Sequence, residues 1–123
     1  MLSKAQRIDK TTFKTLTGRG MSYHSPLLFL SLYKQKEDKP TRYAVLCSKK
    51  VSSRAVDRNR QRRRVYRSLQ ALVLHIQPGY FCVFTLKKEA KEVLFDALDI
   101  AVKKLFKDVG ITRFPVVSAT GSL

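Results

Sequence analysis

Tryptophan is absent from this 123-residue chain, cysteine occurs only twice, and acidic residues are scarce, nine Asp and Glu against 25 Lys and Arg. Each shortage removes a class of explanation. Cys47 and Cys82 cannot make a disulfide framework and suit a reducing cytoplasm. No apolar run approaches the roughly 20 residues that cross a bilayer. The longest, Pro26–Tyr33, is strand-sized and contains Ser31. The opening residues, Met1 to Arg7, lack the apolar core of a secretory signal. The two histidines, His24 and His75, have no Cys or carboxylate at ligand spacing, so no metal site is expected in the protein. A Gly-rich phosphate loop, a paired-carboxylate motif and a Ser/His/Asp order are all missing, so neither a small-molecule substrate nor catalytic side chains are expected.

What is present is charge on a foldable chain. The hydrophobic fraction is 44%, ordinary for a globular domain and too high for a disordered basic tail. The length supports one core and not two. A single nucleic-acid-binding domain is expected over residues 1–110. Gly110 and the Ser-, Thr- and Gly-containing stretch after Pro115 suggest a frayed, flexible tail over 111–123. A formal net charge of +16 on so small a body repels itself and calls for a polyanionic partner. An anionic membrane would be met by a basic helix face with Trp, Phe or Leu opposite. Here the apolar stripes look committed to a core, so nucleic acid is the expected partner and membrane is not.

Periodicity sets out the elements. Asp9 can cap a short helix over Lys10–Thr17 ended by Gly18 or Gly20, with Phe13 and Leu16 on one face. Leu27–Lys34 reads as a strand with Leu28, Leu30 and Leu32 on one side and Phe29, Ser31 and Tyr33 on the other. Arg42–Ser48 is a second strand, and Met21–Ser25 a short additional one. From about Ala55 nothing breaks a helix before Pro78-Gly79, and Val65, Leu69, Leu72, Val73 and Ile76 recur at helical spacing. Tyr80–Leu86 is a near-continuous apolar run, as a central strand requires. A last helix begins between Glu89 and Leu94 and runs to about Lys107, its stripe being Leu94, Leu98, Ala101 and Leu105. The fold class is α+β, a two-layer sandwich in the order α-β-β-(β)-α-β-α. Glu92, Asp96 and Asp99 form a solvated stripe opposite the apolar one, with Asp99 able to pair with Lys103.

The charge is concentrated. From Arg42 to Arg67 there are ten cations and one acid, Asp57, and seven of the cations are Arg after Lys50. Arg offers a forked donor set that grips phosphate and stacks on bases. At about 100° per residue, Arg60, Arg63 and Arg67 share an arc opposite the apolar stripe, a rail about 10 Å long, with Arg64 at its edge. Arg58 and Arg62 project on the apolar side, where unpaired burial would cost several kcal/mol. The first turns of the helix are therefore expected to overhang the sheet, leaving both on its rim. Asn59 between them fits either an RNA contact or a helix-start preference. Clustered carboxylates, which a self-sufficient metal nuclease would use to hold Mg²⁺, are missing near this region.

Ser48-Lys49-Lys50, a short spacer, and then Arg58-Asn59-Arg60-Gln61-Arg62-Arg63-Arg64-Val65-Tyr66-Arg67 resemble the signature of the bacterial ribonuclease P protein subunit. Phe13 with Arg19-Gly20 matches that family's first helix and its turn, Lys87-Lys88 a basic pair after the strand that follows the long helix, and Ala90 to Phe106 the final helix segment. The likeness covers roughly residues 7–107. It implies a fold like domain two of ribosomal protein S5, with a left-handed β-α-β crossover against the usual right-handed rule. It implies a cytoplasmic protein cofactor for a catalytic RNA that removes the 5′ leader of precursor tRNA, the RNA doing the cutting with Mg²⁺. By position, Lys49, Lys50, Arg54, Arg58, Asn59, Arg60, Arg62, Arg63 and Arg67 would bind the catalytic RNA. Phe13, Lys87 and Lys88 would face a cleft holding the single-stranded leader. Strand alternation adds Phe29 and Tyr33 to that cleft, or places either in the core, Phe29 before Tyr33. Thr17, Ser31 and Ser68 depart from the pattern, the first two where aromatic residues occur in the family and the third where an acid is common. A ribosomal or RNA-chaperone protein without a processing role would share the charge and the element order.

Overall fold

A computed structural model describes residues 2–16 and 20–112. Thr17, Gly18 and Arg19 lie outside the described residues, as does the expected tail from residue 113 onward. Helix α1 (Lys10–Thr15) is capped as its sequence requires: the Asp9 carboxylate accepts from the Thr12 N–H at 2.8 Å. Strands β1 (Met21–His24), β2 (Leu28–Lys34) and β3 (Arg42–Leu46) follow, then helix α2 (Ala55–Leu72), strand β4 (Tyr80–Leu86) and helix α3 (Phe95–Val109).

The sheet order is β1-β2-β4-β3. β2 pairs antiparallel with both β1 and β4, and β3 pairs parallel with β4. Parallel neighbours need a long crossover, and α2 supplies it. The β2 alternation holds: Leu28, Leu30 and Leu32 are buried while Phe29, Ser31 and Tyr33 are half-exposed. The buried trio joins Tyr43, Val45, Cys82 and Phe84 on one face of the sheet, where α2 and α3 lie side by side. Phe84 meets the Phe106 ring edge-on at 5.6 Å. Side chains as completely buried as Leu30, Leu69 and Phe84 each stabilise the fold by about 1.5–3 kcal/mol.

Several boundaries differ from the periodicity. α2 stops at Leu72 and tightens into a 3-10 turn over Val73–His75 before Pro78-Gly79. Gly79 has φ +98°, and a Cβ there would stand 3.2 Å from the Glu37 Cα. A dense set of hydrogen bonds surrounds that turn. Gln35 N–H donates to Gly79 O, Gly79 N–H to Lys39 O, and the Thr41 hydroxyl to Gln77 O. Leu94 caps α3 from outside and is 69% exposed, so it is not part of the stripe, which runs instead through Leu98, Ala101, Val102, Leu105 and Phe106. Gly110, read above as a frayed end, closes α3 in a left-handed conformation, its N–H donating to Phe106 O. Ile111 and Thr112 fall within the expected tail, yet they pack: Ile111 is buried and Thr112 bridges to Ile76.

Candidate nucleic-acid interface

Because β3 and β4 are parallel, both end at the same edge of the sheet, and α2 begins there. β3 leads into the turn carrying Lys49 and Lys50, closed by Val51 N–H donating to Ser48 O. β4 leads into Lys87, Lys88 and a 3-10 turn over Lys88–Ala90. This is the end of an α/β unit at which ligands ordinarily bind. The pairing of strands far apart in sequence thus gathers Lys49, Lys50, Arg54, Arg58, Lys87 and Lys88, with the carboxylates of Asp57 and the exposed Glu89 beside them.

The cations differ in how they are held. Lys49, Lys50 and Arg63 are exposed. Arg54 and Arg60 face Asp57 at 3.8 and 3.2 Å, with their own side chains 73% and 42% exposed. Ion pairs that open contribute about 0–1 kcal/mol and can be exchanged for phosphate. Arg58 donates to Ser52 O and Ser53 O at 2.9 Å each, and Arg62 donates to the Asn59 amide oxygen. Both are half-exposed and act on the Cys47 thiol, which burial pushes up against their opposing pull. They sit at the end of β3, on the rim, as overhang of the first turns requires. The Arg67 guanidinium lies 4.3 Å from the Phe95 ring centroid, a cation–π contact that aims it along the α2–α3 seam.

Three residues outside the site prediction organise this surface. Gln61, in the middle of the arginine run, is 1% exposed. Its amide donates to Ala90 O at 2.5 Å and Val93 O at 3.1 Å, and its oxygen accepts from Arg64 at 2.9 Å. Arg64 also donates to Val93 O at 2.7 Å, so it is tied to the segment before α3. Together they fasten the loop after Lys88 to α2. The signal was there, since Gln61 precedes Val65 by four residues and so lies on the apolar stripe. Asp99 is the other case. It is not on a solvated stripe: it accepts from the Ser68 hydroxyl at 2.6 Å while pairing with Lys103 at 2.8 Å, joining α3 to α2.

The five residues assigned to a cleft do not all meet. Phe13 is 37% exposed on α1. Tyr33 lines a groove of about 440 Å³ with Thr15 and Leu16 from the end of α1, and with Met21, Lys34 and Tyr80. Gly20 lies against the Tyr33 ring, where a Cβ would come within 2.8 Å. Phe29 is on the same sheet face but four residues along β2, half-exposed and outside the core, stacked with His24 at 5.1 Å between centroids. Lys87 is at that second end and donates to Ser25 O at 2.7 Å, with Lys88 exposed beside it. Burial drives the thiol of Cys82 upward in pKa, consistent with a small core hydrophobe. Among the described residues, no group of three or more His, Cys, Asp and Glu converges as metal ligands, and no helix is long and apolar enough to cross a membrane.

Comparison with known proteins decides the family. The Ribonuclease P family model matches residues 2–110. The chain belongs to the ribonuclease P protein family. The ribonuclease P protein component of Symbiobacterium thermophilum is 27% identical over 113 residues, covering 91% of this chain and 97% of that protein. The one from Clostridium kluyveri is 32% identical over 110 residues, covering 87% and 96%. Among solved structures, the Staphylococcus aureus RNase P protein superposes with a TM-score of 0.78 at 21% identity, covering 89% of this chain and 99% of that one. The Thermotoga maritima protein gives 0.72 at 20% identity, covering 83% and 96%. These two establish the fold, the mixed α+β sandwich read from the sequence. Ribonuclease P protein components are parts of an endonuclease complex and act with an RNA subunit.

Proposed function

We propose that this chain binds the catalytic RNA of ribonuclease P and the 5′ leader of precursor tRNA in the cytoplasm, and thereby assists Mg²⁺-dependent removal of the leader to leave mature tRNA 5′ ends. The observation that carries the reading is the convergence of Lys49, Lys50, the first half of α2 and Lys87-Lys88 at one end of the sheet, where the cations far outnumber the acids Asp57 and Glu89. A single strand of phosphates neutralises such a cluster and releases counterions. Lys49, Lys50, Arg54, Arg58, Asn59, Arg60, Arg62, Arg63 and Arg67 form the surface for the catalytic RNA. The leader is taken by the sheet face that carries Phe29 and Tyr33, together with Phe13 from α1 and Lys87 and Lys88 from the segment after β4.

Four aspartates have structural tasks. Asp9 caps α1, Asp57 pairs with Arg54 and Arg60, Asp99 joins the helices, and Asp108 pairs with Lys104. In this reading cutting belongs to the RNA, and Mg²⁺ serves that RNA. The protein's cations replace part of the screening that the metal otherwise provides, so the benefit is greatest when Mg²⁺ is scarce. The test is reconstitution with the cognate RNA subunit. Addition of the protein should raise leader removal and precursor affinity at low Mg²⁺, while the protein freed of RNA should cut nothing. Unchanged activity and affinity would overturn the proposal, and co-sedimentation with ribosomes instead would favour a ribosomal or RNA-chaperone role.

A further inference from the structure

His24 has no part in the reading above, and its position gives it one. It ends the edge strand β1, directly opposite Phe29 in the antiparallel register. It is exposed, and its ring stacks on Phe29 with centroids 5.1 Å apart and planes 27° from parallel. Toward the α1 groove, the next row on this face holds Ser22 and Ser31, too small to obstruct a chain lying on the sheet. Among the described residues, none of the sheet positions on this face is a carboxylate. Lys87 closes the same end, anchored to Ser25 O one residue beyond His24.

Two near-parallel rings, partly in water, at the end of the sheet that Lys87 closes and on a face whose sheet positions carry no carboxylate, present the surface on which a nucleobase stacks. An apolar peptide would gain less there, because the surrounding charge is predominantly positive. The location adds a direction. Phe29 and Tyr33 are four residues apart, about 13 Å along the strand, and the His24 end is the one where Lys49, Lys50 and the start of α2 gather.

We infer that His24, stacked on Phe29, is a nucleobase-stacking residue for single-stranded RNA, and that it takes up the leader nucleotides nearest the α2 surface before the strand reaches the Tyr33 groove. This deepens the reading that the sheet face holds the leader and rests on it. The test measures dissociation constants of the reconstituted ribonucleoprotein for precursor tRNAs whose leaders are lengthened one nucleotide at a time, and for tRNA with no leader. The His24→Ala variant should weaken binding of leader-bearing precursor by about tenfold, the order expected for one stacked base, and leave leaderless tRNA unaffected. His24→Phe should restore most of the loss. The deficit should appear at a shorter leader than the deficit of Tyr33→Ala. An unchanged affinity in His24→Ala, an equal loss in His24→Phe, an equal loss for leaderless tRNA, or the reverse order of leader lengths would each overturn the inference while the leader reading stands. A wild-type complex that gains nothing from any leader would overturn both.

Discussion

Gln61 sits within a run of arginines, and its replacement separates what holds the surface together from what binds. Consider Gln61→Leu, which keeps the volume and removes the amide. Ala90 O is then a buried carbonyl without its side-chain donor, a loss of about 1–3 kcal/mol. Val93 O keeps Arg64, so its share is that of an ordinary hydrogen bond, about 1 kcal/mol. The added apolar contact of leucine offsets part of this, leaving a net destabilisation of about 2–3 kcal/mol. For a domain of this size that lowers the melting temperature by roughly 10 °C. Urea titration followed by circular dichroism should show a lower midpoint at an unchanged slope. The exposed neighbour Asn59, changed to Ala, should shift stability by no more than about 0.5 kcal/mol. In RNA binding, measured well below the melting temperature, Gln61→Leu should weaken affinity while leaving its salt dependence intact, because no cation is removed. Wild-type stability in Gln61→Leu, or a shallower salt slope, would refute this account of the loop after Lys88.

The cations give the complementary result. Arg63→Ala should flatten the plot of log affinity against log salt by about one unit, and Arg60→Ala by less, because Asp57 already neutralises part of Arg60. Across a fourfold range of salt, one unit amounts to a roughly fourfold change in the ratio of wild-type to variant affinity. Ser68→Ala removes a buried donor to Asp99 and should cost about 1 kcal/mol in denaturant unfolding, less than the loss of an unpaired charge because Lys103 remains. Asp9 is held below the ordinary carboxylate range by its hydrogen bonds with Thr12. A lowered folded-state value means that the cap contributes above the unfolded pKa and is lost as pH falls through the folded one. The Thr12 amide resonance should therefore titrate with a midpoint below that of an unfolded aspartate.

Local rules identified much of this molecule in its sequence. The Asp9 cap, the two faces of β2, the central position of Tyr80–Leu86 and the Asp99–Lys103 pair each depend on residues a few positions apart or on one element's periodicity, and each is found. What failed locally was decided by packing between distant segments. Leu94 fits a helical stripe by spacing, but the 3-10 turn after Lys88 and the Gln61 clamp delay α3 until Phe95. Asp99 looks solvated in the periodicity of α3 alone, and only the seam with α2 supplies the Ser68 hydroxyl. The same holds for the site. The basic helix was legible as a concentration of arginine, and the rim placement of Arg58 and Arg62 followed from the cost of burying them. The arrival of Lys87 and Lys88 beside Lys49 and Lys50 depends on the parallel register of β3 and β4, which no local pattern encodes. His24 carried no signal beyond being a histidine in a short strand.

The hydrogen bonds among Gln35, Lys39, Thr41, Gln77 and Gly79 lie at the end of the sheet remote from the arginines of α2. The two poles of the domain are thus secured by different forces, one by neutral backbone stitching indifferent to ionic strength, the other by like charges kept close against their mutual repulsion. Counterions, or a polyanion acting as one, quiet only the second pole. Amide exchange in the first turns of α2 should slow as phosphate or sulfate is added, while the amides of Gln35 and Gly79 keep their rates, so that docking a polyanion amounts to annealing one half of a protein whose other half is already set.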